Sequence, residues 1–356
     1  MFSIALSLVA LAAVLVLIPA ARLVALKYGV VDAPGGRKQH DEPVPPIGGI
    51  VIFSVLVLAM IGLQTVSNIS FPPALFLSLG IIVVTGLVDD IHTLDARFKF
   101  LVHFLVAGIL VLWGGAKLET LGNLLGFGNI GLGWMSVPFS VACVVYIINA
   151  VNMMDGLDGL AGGNTLIVFG WFALAALAGG NMAALGEIMI FMAALVGFLF
   201  YNARSPWRKH AKVFLGDAGS MGIGVMIAWY AITLSQVPHP VLAPVSVAWI
   251  IALPIIDAFG LLVARLKDKK PPFAPDRRHF HHHFINAGFG VGASVYLILL
   301  WSVLLGVIGF VGNKYGIPTP VLGWAWVILW LAHTLLTVRH EKFIRLLAKV
   351  RRKPAL

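Results

Sequence analysis

Long apolar runs, separated by short polar stretches, recur along the whole chain. Windows close to the ~20 residues that a spanning helix needs fall at 3–21, 47–65, 72–88, 100–116, 133–150, 160–178, 184–201, 214–234, 241–264, 293–311 and 319–338. Within them the apolar positions are continuous rather than alternating with period two, which predicts helices and not strands. In hydrocarbon only helices or closed barrels satisfy every backbone group. The pattern therefore predicts an all-α membrane protein. It would be a polytopic bundle of about eleven transmembrane helices forming one domain, 1–338, with a separate tail, 339–356.

Charge gives this map a direction. Loops 22–46, 89–99, 202–213, 265–292 and the tail after 338 hold 23 of the 25 Lys and Arg residues, and only Lys117 and Lys314 fall on the other side. Basic residues concentrate on the cytoplasmic side of membrane proteins, so the N-terminus is expected to be periplasmic and the C-terminus cytoplasmic. The first run lacks a basic segment ahead of it, and Arg22 and Lys27 follow it. That order predicts a retained anchor rather than a cleaved signal peptide. The tail carries Arg339, Lys342, Arg345, Lys349, Arg351, Arg352 and Lys353, a composition suited to a juxtamembrane helix held by anionic lipid.

Composition agrees. Charged residues make up 11% and hydrophobic residues 60% of the chain, whereas soluble proteins carry roughly 25% charged residues. The net charge of +10 does not imply nucleic acid, because the basic residues lie between spans where topology requires them. The single cysteine, Cys143, has no intrachain disulfide partner and reads as a packing residue.

The acidic residues share the basic residues' side. Twelve of the fifteen Asp and Glu lie in the expected cytoplasmic loops or at their membrane edges, the exceptions being Glu119, Glu187 and Asp257. Acids contribute little to orientation, so this clustering needs another cause. Asp89 and Asp90 close the third span. Adjacent carboxylates repel unless a cation is present, and Mg²⁺ with phosphate oxygens would relieve them; a solvated pair at the membrane edge is the competing reading. Asn149, Asn152, Asp155 and Asp158 fall in one block with Gly156 and Gly159. The two Asp share a face if the segment is helical, while the glycines suggest a loop drawn close to a ligand. Asp217, in Phe214-Leu215-Gly216-Asp217-Ala218-Gly219-Ser220, could cap the eighth span or hold a metal-phosphate group. Arg277, Arg278, His279, His281, His282 and His283 crowd the longest loop. Clustered His can bind a transition metal, but with Arg beside them diphosphate binding and proton handling fit better. Asp257 inside an apolar run is expected to face the bundle as support for the site.

Taken in order, these segments resemble the polyprenyl-phosphate N-acetylhexosamine-1-phosphate transferase family. The shared motifs are Arg37-Lys38 with Pro45 to Gly49, Asp89-Asp90, Asn149 to Leu160, Phe214 to Ser220 and the His279 loop, and the resemblance runs from about Asp32 to the last span. The stretch Pro272 to His282, with Pro240, Pro254 and Asp257, is similar to the branch that places N-acetylglucosamine 1-phosphate on undecaprenyl phosphate. The phospho-MurNAc-pentapeptide branch usually has a glutamate soon after its His run, where Phe284 and Ile285 stand here.

The resemblance implies a transmembrane catalytic domain in the bacterial inner membrane with its active site facing the cytoplasm. The implied reaction joins UDP-N-acetylglucosamine and undecaprenyl phosphate, with Mg²⁺ or Mn²⁺ as cofactor, at the start of O-antigen or related polysaccharide synthesis. It assigns the metal to Asp217 with Asp89 and Asp90, and catalysis to Asp89, Asp90 and His279. Substrate contacts fall to Lys38, Asn152, Asp155, Asp158, Arg277, Arg278 and His281. The expected partners are undecaprenyl phosphate, a UDP-N-acetylhexosamine, membrane lipid and a second copy in a homodimer, with no nucleic acid. Another UDP-N-acetylhexosamine or phospho-MurNAc-pentapeptide is the alternative donor. An ion-coupled transporter, the rival class, would keep its charges near the midplane, whereas these acids sit at one edge.

Overall fold

The computed structural model describes residues 2–32, 43–66, 71–238, 240–271 and 276–352. Helices dominate: α1 (Phe2–Tyr28), α2 (Gly48–Val66), α3 (Pro73–Ile91), α4 (Ala96–Gly108), α5 (Ser136–Met154), α6 (Leu160–Ala178) and α7 (Met182–Asn202) form the first half. They are followed by α8 (Gly216–Thr233), α9 (Pro244–Ile250), α10 (Ala252–Lys267), α11 (Phe280–Asn286), α12 (Val291–Lys314), α13 (Thr319–Val338) and α14 (His340–Arg352). Each of the eleven apolar runs falls on one of these helices or on two in succession, except that the run 100–116 continues beyond α4 through a π-helical turn, Ile109–Trp113. Among the described residues, nine helices are long and apolar enough to cross a membrane, or ten if the bent pair α9 and α10 makes one span.

The difference from eleven has two physical sources. Helix α8 is rich in glycine and carries Asp217, which lowers its hydropathy, yet it is buried along most of its length. It sits among α2, α3, α5 and α6, so neighbouring helices rather than lipid supply its surroundings. Helices α9 and α10 meet at a bend of 78°. Pro254 lies in the first turn of α10, and proline has no N–H to return to the carbonyl four residues earlier, so the helical ladder lapses at the break.

Small residues set how closely the central helices approach, as is usual in membranes. A Cβ on Gly49 would lie 2.1 Å from the Gly219 amide nitrogen, and one on Gly86 would lie 2.3 Å from that of Ala218. Backbone bonds lock the same region: the amides of Gly48 and Gly49 donate to the carbonyls of Phe214 and Leu215, and Phe214 donates to Pro45, all at 2.8–2.9 Å. Thus two motifs far apart in sequence, Pro45 to Gly49 and Phe214 to Ser220, are one local structure that presses the start of α8 against α2 and α3.

Candidate active site

The ends of α3, α5 and α7 and the starts of α8 and α12 surround a cleft of about 990 Å³. Asp89, Asp90, Asn152, Asp155, Asp158 and Asp217 all line it, as do His282 and a basic group comprising Arg204, Arg208, Lys209, His210 and Lys212.

Asp90 holds the start of α8. Its carboxylate accepts the amides of Asp217 at 2.8 Å and Ala218 at 3.2 Å, satisfying donors that a helix N-terminus leaves free. Asp217 is therefore not the cap of its own helix; Asp90 serves it from α3. The turn needs a glycine, since Gly216 has φ +74° and a Cβ there would lie 2.6 Å from Asp90 Oδ2. Asp217 is left to face the cleft, with Oδ1 accepting from Asn152 Nδ2 at 3.0 Å. Asn152 also donates to Ser220 Oγ at 2.9 Å.

Asp89 is fixed separately. The Leu94 amide donates to Oδ1 at 2.6 Å and Lys99 Nζ to Oδ2, also at 2.6 Å. The same ammonium lies 3.3 Å from Asp217 Oδ2, so Lys99 joins the two carboxylates. Among the described residues no group of three or more His, Cys, Asp and Glu is already drawn together to hold a metal ion. The donors around Lys99 are nevertheless carboxylate oxygens, the chemistry that Mg²⁺ takes, and the ammonium marks a spot that accepts positive charge.

The Asp155 segment is a loop. Helix α5 ends at Met154, and Gly159 turns the chain at φ +83° into α6, so Asp155 to Gly159 form a loop while Asn149 and Asn152 stay on α5. Asp158 accepts from Arg204 Nε at 2.8 Å, and Asn202 braces the turn by accepting the Gly159 amide at 2.9 Å. Asp155 is exposed on the cleft. Desolvation by the surrounding protein, then the charges of Asp217, Asp90 and Asp158, pushes its carboxyl up to about 7.

The histidine loop divides. His279 Nδ1 lies 3.1 Å from Asp257 Oδ2, and the Phe280 amide donates to Asp257 Oδ1 at 2.8 Å. Asp257 thus anchors the start of α11 from inside the bundle. His281 is buried with its ring against Gly156; burial, then neighbouring His279 and His282, pushes it down to about 3, so it is neutral at pH 7. Arg278 pairs with Asp276 at 2.6 Å and Asp268 at 2.7 Å, and Arg277 is exposed. Neither arginine lines the cleft, nor do His279 and His281, whereas His282 does. Lys38 lies outside the described residues. Sequence reading missed Lys99, Arg204 and Asn202, and with them the rim residues Arg208, Lys209, His210 and Lys212.

Fold and cleft together define a polytopic membrane protein with an acid-lined, basic-rimmed site at one end of its bundle. A family model described as glycosyl transferase family 4 matches residues 72–235. The undecaprenyl-phosphate alpha-N-acetylglucosaminyl 1-phosphate transferase of Yersinia pestis is 33% identical over 319 residues, covering 89% of this chain and 85% of the relative. The protein of the same name from Escherichia coli K12 is 30% identical, covering 94% and 90%. A probable undecaprenyl-phosphate N-acetylglucosaminyl 1-phosphate transferase of Bacillus subtilis is 33% identical, covering 84% and 82%. The chain belongs to the polyprenyl-phosphate N-acetylhexosamine-1-phosphate transferase family.

Proposed function

We propose that the protein transfers N-acetylglucosamine 1-phosphate from UDP-N-acetylglucosamine to undecaprenyl phosphate, starting O-antigen or related surface-polysaccharide synthesis. The cleft faces the cytoplasm of a bacterial inner membrane crossed eleven times, with α8 and the bent pair α9–α10 each counted as a span. A lipid-phosphate oxygen attacks the sugar-bearing phosphorus. The bond from that phosphorus to the bridging oxygen breaks, and UMP leaves with the oxygen. The observation that carries this reading is the Lys99-joined pair Asp89 and Asp217 in a cleft that also has a basic rim.

Phosphoryl transfer asks for positioning and charge neutralisation more than covalent work by the protein. Asp89, held by Leu94 and Lys99, orients the acceptor phosphate. Asp90 acts through the α8 amides and sets the direction of Asp217. Asp217 and Asp89 would hold Mg²⁺, which when bound neutralises the donor diphosphate and stabilises the departing UMP. Asp155 and Asp158 receive the nucleoside or sugar, and Arg208, Lys209 and Lys212 attract the donor's phosphates.

The test is UMP release and lipid product from purified protein given Mg²⁺, undecaprenyl phosphate and a panel of UDP-sugars. N-acetylglucosamine on the lipid is the expected product. A different sugar transferred, phospho-MurNAc-pentapeptide included, would overturn the donor assignment, and no UMP from any donor would overturn the activity. Asp217→Asn should abolish Mg²⁺-dependent turnover; near-normal turnover would remove Asp217 from the metal site.

A further inference from the structure

Transfer chemistry leaves α14 without a role, yet the helix is built with two distinct faces. His340, Phe343, Ile344 and Leu347 follow the i, i+3, i+4, i+7 spacing of one helical face and are partly buried. Phe343 stacks on Phe280 of α11 with ring centres 6.3 Å apart and planes at 5°, and it meets His283 edge-on at 5.4 Å. Arg351 Nη1 donates to the carbonyl of Gly288, just beyond α11.

The opposite face exposes Lys342, Arg345 and Lys349, with Leu346 56% and Val350 61% accessible beside them. The one acid of the helix, Glu341, lies 3.9 Å from Arg345. An apolar edge bordered by ammonium groups suits the headgroup layer, where the apolar side chains enter the acyl boundary and lysines reach back to phosphates. Helix α14 also follows the apolar helix α13 after only Arg339, so it starts at the membrane surface. Charge complementarity selects anionic phospholipid as the occupant.

Helix α11 connects this surface to the cleft, because His282 lines it and the His281 ring packs against Gly156 of its wall. We propose that α14 is a clamp: anionic phospholipid holds α14, and α14 through Phe343 holds the histidine segment in order at the cleft. The bilayer's charge would thereby set how well the site is assembled. Only the effect on turnover rests on the transferase reading.

The experiment places the full chain in nanodiscs of phosphatidylcholine, with or without phosphatidylglycerol, and follows amide hydrogen exchange. Phosphatidylglycerol should slow exchange about tenfold in 340–352, and with it in 280–288. The double variant K342E/K349E, altered only at exposed positions, should lose both effects. Phe343→Ala should keep the slowing of α14 and lose that of α11. Equal exchange in the two lipids, retention of the lipid response in K342E/K349E, or slowing of α14 without α11 would each overturn the clamp. UMP release should rise with phosphatidylglycerol in the wild type and not in K342E/K349E. An intact exchange pattern with no UMP release would count against the transferase reading and leave the clamp standing.

Discussion

Lys99 shows how one side chain can carry two kinds of charge information. Lys and Arg mark orientation, and once they are assigned to topology their individual partners drop from view. Its place in the first turn of α4, ten residues after Asp89, was the available signal. With Lys99→Gln, Asp89 and Asp217 lose the ammonium they share, and kcat/KM should fall by about 100-fold, the scale for removing one electrostatic contact from a preorganised site. Steady-state kinetics at saturating Mg²⁺ would show it. Asp155 makes the second prediction at this scale. With its carboxyl pushed up to about 7, it is protonated below that pH and gains its charge as pH rises through it. If the ionised form contacts the donor, kcat/KM climbs from acid pH toward a plateau above about 7, and Asp155→Asn removes that limb. An unchanged acidic limb in the variant would exclude Asp155 as its source.

At the scale of elements, α8 is where reading from sequence met its limit. Apolar length located the helix, but burial by other helices replaces lipid there, so hydropathy understates it. Capping was one of two readings open for Asp217, since an Asp at a helix start is a sound N-cap signal; the bonds to the α8 amides come instead from Asp90, more than a hundred residues earlier. No local pattern encodes that, because the contact exists only after α3 and α8 pack. The glycines that permit the packing give an element-level prediction. Gly86→Ala places a Cβ 2.3 Å from the Ala218 nitrogen; overpacking of this kind costs about 1–3 kcal/mol. The variant should melt earlier in detergent than the wild type and lose activity through displacement of Asp90. By contrast, Gly108, where a Cβ meets nothing within 4 Å, should accept alanine with an unchanged melting curve.

For the whole molecule, helix content and the gathering of acids at one bundle end were legible in the apolar runs and the carboxylate positions. The partition of the histidine loop was not, since it depends on Asp257 reaching His279 from another helix. Orientation is testable with single cysteines at exposed sites in a Cys143→Ala background. Trp207 is 93% and Phe127 90% accessible, and the charge map puts them on opposite faces. A membrane-impermeant maleimide should label position 127 in spheroplasts and position 207 only in inverted vesicles; the reverse pattern would invert the topology.

The cleft draws its walls from Val31 near the start of the chain through to His282 and Val291. Synthesis delivers these pieces in order from the N-terminus. A nascent chain paused after α8 already owns Asp89, Asp155 and Asp217 but lacks α10, whose Asp257 anchors the histidine segment, and lacks α11 itself. The cleft is therefore complete only late in biogenesis, once nearly every helix has been made, and a chain abandoned midway has only part of its lining.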